Sequence, residues 1–410
     1  MASAREPDSG ASSSEYSSSS SPLPIHYALY AYHANRPNID ADNSEGDKGA
    51  TKSVAEFLQR EATSNNDFSL SEIVTDLSTE QEQILREFIA RKLSRGTVYG
   101  GSGNVGQLLL NEEDFSCYFY LLRQTSLDLE AELDGTGGNF YTSQEYVVCF
   151  ISNPSAGLEI FRPELDAYCE GMSYLLDQKT LNHDRIRSYL AKWFSESAEY
   201  VCRCVNRFQK DIAYLITAAL MEVHLEIQGA NVQTKDDVKR FMKACSLSEL
   251  LQKTHENNSQ NNIEGMLIDL DVTSSTTSSE TSSAQGDKPV LKIEGDTHKI
   301  ENAEKSSLGD DWATAMLKDT SNPAFLRQII EDFKLKTIQD LNTLKRLVRQ
   351  AETDHYALYR AFSFLRDCGS GAILLRQIWK DENSVTVKDT QNVLRVLEDF
   401  IKDTNGFKRD

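Results

Sequence analysis

The run HYALYAYH at residues 26–33 decides how the first half of the chain is read. Its aromatic and apolar side chains favour an extended backbone, so it is read as a strand. A polar stretch rich in Asp and Gly, Asn35–Thr51, follows it. A second strand is expected at Phe68–Val74, with Phe68 and Leu70 on one face. Ser78–Leu93 then changes period. Ser78 and Gln81 have capping-box spacing, and Ile84, Leu85, Phe88, Ile89 and Leu93 recur as on one helix face. Lys92 and Arg95 suit the negative end of that helix, and Gly96 can supply a left-handed cap. Three further strands are expected at Val105–Leu110, Ser116–Leu122 and Glu145–Ile151, with a GTGG turn at Gly135–Gly138 between the last two. A helix over Pro163–Leu176 closes the series, with its proline tolerated in the first turn.

Strand, strand, helix, three strands, helix is an α+β order. It resembles the longin fold, an antiparallel sheet flanked by helices that recurs in vesicle-trafficking proteins. The longin-like domain is placed at residues 25–180, after a Ser-rich, disordered segment at 1–24. The rest is read as all-α. Asp184–Ile227 holds no Gly or Pro and is apolar on nearly all sides around Ala213–Leu220, as a core helix would be. With a helix at Thr234–Leu251 it forms a helical region over 181–252. Residues 253–308 lose periodicity and read as a disordered linker. A second helical region, 309–404, is expected to pack on 181–252. Asn322 and Pro323 open its main helix, which runs to about Ala351. Shorter helices follow near Asp354–Arg366, Ala372–Lys380 and Lys388–Asp403.

Composition narrows the function classes. The 410 residues carry 43 Lys and Arg against 63 Asp and Glu, a net charge of −20. Such a field repels phosphate backbones and anionic lipids, which argues against nucleic-acid and general membrane-surface roles. Met1–Ser21 has no apolar core and does not read as a signal peptide. Ile212–Val223, the longest greasy stretch, is far short of the ~20 residues a membrane span needs. Direct membrane insertion is therefore not expected. Seven cysteines, an odd count without CxxC pairs, point to a reducing, cytoplasmic setting.

No catalytic, metal or cofactor constellation emerges. Gly101-Ser102-Gly103-Asn104-Val105-Gly106 matches the dinucleotide fingerprint GxGxxG, but a helix precedes it and a strand follows. The fingerprint needs the reverse, so that phosphate meets a helix N-terminus. HYALY occurs at His26–Tyr30 and again at His355–Tyr359; the flanks differ, so one copy is assigned to a strand and the other to a helix. Cys202 and Cys204 do not face each other on a helix, and the histidines are scattered. Gly369-Ser370-Gly371 lacks the spacing of a nucleophile elbow.

Two segments read as partner-binding. Leu267, Ile268, Asp269, Leu270 and Asp271 resemble a clathrin box, whose alternate apolar side chains can enter a groove. On a wheel, the Pro323–Ala351 helix gathers Ile329, Ile330, Phe333, Leu341, Leu344, Leu347 and Val348 on one arc. Arg327, Lys334, Lys345 and Arg349 fall on the adjoining arc, a basic stripe expected to face solvent and to receive an acidic partner. Glu331 lies on the same stripe and can pair with Arg327 and Lys334, which would make it a solvated face instead.

The longest distinctive block is FLRQIIEDFKLKTIQDLNTLKRLVRQAETDHYALYRAFSFLRDCGSGAILL, Phe325–Leu375. With FIARKLSRGTVYGGSGNVG at Phe88–Gly106, EYVVCFI at Glu145–Ile151 and GLEIFRPELDAY at Gly157–Tyr168, it resembles the Njmu-R-one protein family. The resemblance also covers HYALYAY at His26–Tyr32 and NDFSLS at Asn66–Ser71, but not the linker. It implies a complex subunit beside a large WD-repeat scaffold and a FAM-ninety-one-type protein, and a link to spermatogenesis. It also implies cytoplasmic residence with recruitment to the trans-Golgi network and to endosome-derived transport vesicles. No cofactor and no catalytic residue comes with it. The sequence is read as a non-catalytic adaptor in vesicle tethering. A regulatory subunit of a small-GTPase exchange or activating complex is the alternative, and an enzyme of unknown class the third reading.

Replacing Leu267 and Leu270 by Ala tests the clathrin-box reading. Thermal stability should stay unchanged while pull-down of clathrin weakens; earlier unfolding would make both leucines part of a core.

Overall fold

The computed structural model describes residues 24–34, 68–95, 101–127, 141–176, 181–252, 289–295, 297–303, 305–382 and 388–407. Strands β1 (Ile25–Ala34), β2 (Phe68–Thr75), β3 (Asn104–Leu110), β4 (Glu113–Leu127) and β5 (Tyr141–Ser152) form one sheet in the order β2-β1-β5-β4-β3. Every pairing in it is antiparallel. Helix α1 (Thr79–Ser94) covers one face, with Leu85, Phe88 and Ile89 packed on Tyr30, Phe119 and Cys149. Helix α2 (Arg162–Gly171) covers the other, where Leu165 and Cys169 meet Leu29, Tyr118 and Phe150. The α+β, longin-like reading of the sheet stands.

Burial of both faces explains why HYALYAYH shows no polar alternation. Tyr27 and Leu29 enter one core while Ala28 and Tyr30 enter the other. The second copy of HYALY lies in a helix, so the pentapeptide takes two conformations in one chain. Its tyrosines Tyr356 and Tyr359 are exposed there. Local sequence does not choose between the two; the surrounding core does.

The capping box of α1 forms as expected, Ser78 accepting from the Gln81 amide and Gln81 answering to Ser78. Gly96, the GTGG turn and the 1–23 part of the N-terminal segment lie outside the described residues. The GxGxxG segment leads from α1 into β3, and each glycine has a conformational or packing reason. Gly101 has φ +88°, a left-handed backbone that side chains other than Gly resist. A Cβ on Gly103 would lie 2.2 Å from the Tyr118 ring, and one on Gly106 2.7 Å from that of Phe88. Asp166 of α2 fixes the loop, accepting from the Tyr118 hydroxyl at 2.6 Å and the Gly103 amide at 2.9 Å.

Three expectations are corrected. The first concerns the helical stretch Asp184–Ile227, whose core helix around Ala213–Leu220 forms as expected but whose last residues enter a strand. It is divided into α4 (His183–Leu190), α5 (Trp193–Ser197), α6 (Tyr200–Phe208) and α7 (Ile212–Leu220), after a short α3 (Ser173–Leu176). Trp193, Phe194, Tyr200, Phe208 and Ile212 are all buried, and each segment turns its own aromatic or branched side chains into the shared core. The breaks reset the phase, the sharpest at Gln209 with φ +48°.

The second correction concerns the linker at 253–308. Val290–Glu294 (β7) and Thr297–Glu301 (β8) form a hairpin, and β7 pairs in parallel with β6 (Glu226–Gln228). Buried Ile227, Leu291 and Ile293 give this small sheet its apolar side. Two short strands with charged outward positions are easily mistaken for linker. Residues 253–288, including Leu267–Asp271, lie outside the described residues.

The third concerns the C-terminal helices α10 (Ser307–Met316), α11 (Pro323–Ala351), α12 (His355–Asp367), α13 (Gly371–Glu382) and α14 (Lys388–Phe407). The apolar arc of α11 does not go wholly onto residues 184–251. Leu326 and Ile330 join the core shared with α5, α6 and α8 (Val232–Cys245), which precedes the short α9 (Ser248–Gln252). Leu341, Leu344 and Val348 instead build a separate core with α12, α13 and α14. One continuous apolar cluster joins the α2 face of the sheet to 181–252 and the start of α11. Among the described residues no helix is long and apolar enough to cross a membrane.

Gly103→Ala is expected to cost ~1–3 kcal/mol through overpacking against the fully buried Tyr118. Thermal unfolding of the full chain measures it, and an unchanged Tm would mean that the Tyr118 ring is free to move aside.

Candidate functional site

A cleft of about 420 Å³ opens where α2, α4, α5, α8 and α11 converge. Asn322 caps α11 by accepting from the Phe325 amide at 3.1 Å, with Pro323 in the first turn. This start sets the phase that points Arg327, Glu331 and Lys334 to one side, since positions four and three apart share a helix face. That side faces the protein. Arg327 is 4% exposed and Lys334 5%.

This corrects the solvent-facing stripe. Arg327 lies 3.2 Å from Glu164 of α2 and 2.7 Å from Glu331. Glu164 also accepts from the Tyr200 hydroxyl at 2.9 Å. Lys334 donates to the carbonyl of Ala244 at 3.0 Å. Ala244 ends α8, where carbonyls lack helical partners and carry partial negative charge. An acidic neighbour and a helix C-terminus thus draw both cations inward. Lys345 is half-buried and Arg349 exposed on the far half of α11, so the four basic residues do not share one surface.

The remaining walls come from positions that no motif marks. Tyr168 and Tyr189 stack at 4.5 Å, and each hydroxyl donates to the other's carbonyl. Arg240 pairs with Glu196 at 2.6 Å. Ser197 is buried with an unpartnered hydroxyl, while Lys192 is exposed. Sequence reasoning could find Arg327 and Lys334 by their spacing but had no local signal for these others. They meet only through the tertiary fold.

Burial dominates the titration of the phenols and the thiol around the cleft. Burial pushes the phenols of Tyr168, Tyr189 and Tyr200 further up from an already high value. Burial also pushes the Cys245 thiol up to about 12. Burial works against the charge of Arg327, and neighbours led by Glu164 outweigh it, so its pKa rises. A general acid or base works best with a pKa near the working pH. These groups are moved away from neutrality.

A family model for the Njmu-R1-like protein family matches residues 27–403, a span that takes in the sheet, the cleft and the C-terminal helices. The chain belongs to that family. It is similar to Protein Njmu-R1 of Mus musculus, 33% identical over 384 residues, which cover 92% of this chain and 90% of the relative. No solved structure matches. The family span contains every residue of the cleft named above, so the junction lies within the part that the family shares.

Arg327→Met is expected to cost ~3–5 kcal/mol, because it leaves Glu164 buried without its cation. Adding Glu164→Gln should recover part of that loss. Urea unfolding midpoints of the two single variants and the double variant check this; strictly additive losses would show that the pair is not coupled.

Proposed function

We propose that this chain is a non-catalytic adaptor subunit of a vesicle-tethering complex at the trans-Golgi network. The observation that carries the reading is the five-stranded antiparallel sheet in the order β2-β1-β5-β4-β3, with helices on both faces. That is the arrangement of a longin-like platform, and such platforms commonly dock other proteins. The chain belongs to the Njmu-R1-like family, and the partners this reading expects are a WD-repeat scaffold and a FAM-ninety-one-type subunit. Recruitment from the cytoplasm to trans-Golgi membranes and endosome-derived vesicles then depends on the assembled complex.

The net charge of −20 gives exposed cations particular weight in such assembly. Arg349, on the outer half of α11, is one of them, with Lys345 a turn before it. Charge at a rim chiefly sets association rate and salt dependence, while nearby apolar residues supply most of the affinity.

The reading is tested by purifying the tagged full chain from cells. Stoichiometric recovery of the two expected subunits supports it, and recovery without them removes it. Lys345→Glu with Arg349→Glu should slow assembly with purified partners roughly tenfold or less and flatten its salt dependence. The subunit itself should keep its Tm. Unchanged rate and salt dependence would place the binding surface elsewhere.

A further inference from the structure

We propose that the cleft between α2, α8 and α11 binds a small organic acid that has an apolar body and a hydrogen-bond donor beside its carboxylate. The inference does not depend on the adaptor reading, because it rests on unused bonding capacity in the cleft.

Its donors come first. Arg327 is 96% buried, yet its Nε–H has no hydrogen-bond partner among the described residues. The Ser197 hydroxyl, 98% buried, has none either. Leaving such groups without a partner is costly, most of all for a charged one. Both residues line the same cleft, and the exposed Lys192 stands on that lining too. Two N–H or O–H donors and a cation in one concavity suit a carboxylate.

The sign of the site agrees. Even without Lys243, the lining sets Lys192, Arg240, Arg327 and Lys334 against two carboxylates, Glu164 and Glu196. Counting Glu331, which pairs with Arg327 and Lys334, still leaves a cationic excess. This excess is built inside a chain of net charge −20. Held by a low-dielectric wall, it focuses potential on the cleft and attracts anions.

Two further features narrow the ligand. The Oε2 atom of Glu164 is buried and unpartnered, while its Oε1 is held by Arg327 and Tyr200. A bare carboxylate would leave that acceptor unmet and repelled; an acid bearing a hydroxyl or N–H next to its carboxylate would satisfy it. The apolar wall, built around the stacked Tyr168 and Tyr189 rings, then receives the hydrocarbon part. A volume of about 420 Å³ matches a small molecule.

Isothermal titration of the full chain with three probes tests the idea. 3-Phenyllactate carries ring, carboxylate and hydroxyl; 3-phenylpropionate lacks the hydroxyl; 3-phenylpropanol lacks the charge. Phenyllactate should bind about tenfold tighter than phenylpropionate, the worth of one hydrogen bond to a charged group. Phenylpropanol should bind more weakly again. Lys192→Glu and Ser197→Ala, each checked for an unchanged far-UV spectrum and Tm, should weaken phenyllactate by about tenfold. Equal binding of all three probes, binding of inorganic phosphate as tight as that of phenyllactate, or binding insensitive to both substitutions would overturn the proposal. So would absence of binding at millimolar probe. Phenylpropionate binding as tightly as phenyllactate would overturn the assignment of a donor to Glu164.

Discussion

The buried pair between Arg327 and Glu164 is the constraint on which the arrangement of the two halves depends. Glu164 opens the helix on one face of the sheet, and Arg327 lies in the first third of the longest C-terminal helix. Neither tolerates burial alone, since an isolated charge in a dry interior costs several kcal/mol. Apolar contacts alone would allow α11 to slide or turn against its neighbours with little penalty. The ion pair allows one register. Lys334 adds a second point seven residues along, where the end of α8 offers a carbonyl at 3.0 Å.

Aromatic stacking extends the same union into the sheet. Phe150 of β5 stacks on Tyr118 at 5.8 Å and on Trp193 at 4.8 Å. Trp193 lies beyond the boundary that the sequence suggested at residue 180, so the longin-like sheet and the next helices share one interior. The other face shows no such continuation, because among the described residues α1 is the element that packs on it. A sheet wrapped on both faces gives up its alternation, and this is why β1 is legible as a strand by its aromatics and not by period.

The sequence made the sheet and its flanking helices readable because those elements signal locally. Ser78 and Gln81 announce a helix start, Asn322 and Pro323 another, and tyrosine-rich runs announce strands. The cleft was mostly illegible. Arg327 and Lys334 could be grouped by spacing, but spacing says which residues share a face and not whether that face meets water. The outcome turned on Glu164 and on the end of α8, both remote in sequence. Tyr189, Lys192 and Ser197 belong to a stretch whose true breaks, near Lys192 and Gln209, carry no Gly or Pro. The β6–β7–β8 sheet was hidden for a different reason: its strands bury only Ile227, Leu291 and Ile293 inside a polar context.

An acidic chain that turns cations inward has a particular electrostatic character. Its outer surface keeps the acidic excess, which discourages association with itself and with anionic membranes at long range. Its junction meanwhile holds positive charge in a place where water is scarce and each unmet bond is costly. Stability and binding capacity are therefore concentrated at the same residues. Arg327 shows how both are possible at once: one edge of the guanidinium holds the fold through Glu164 and Glu331, while its Nε–H is left without a partner. A planar group with five donors can serve two masters in a way that the single ammonium of lysine cannot. Lysine at position 327 would keep the charge and lose that division of labour.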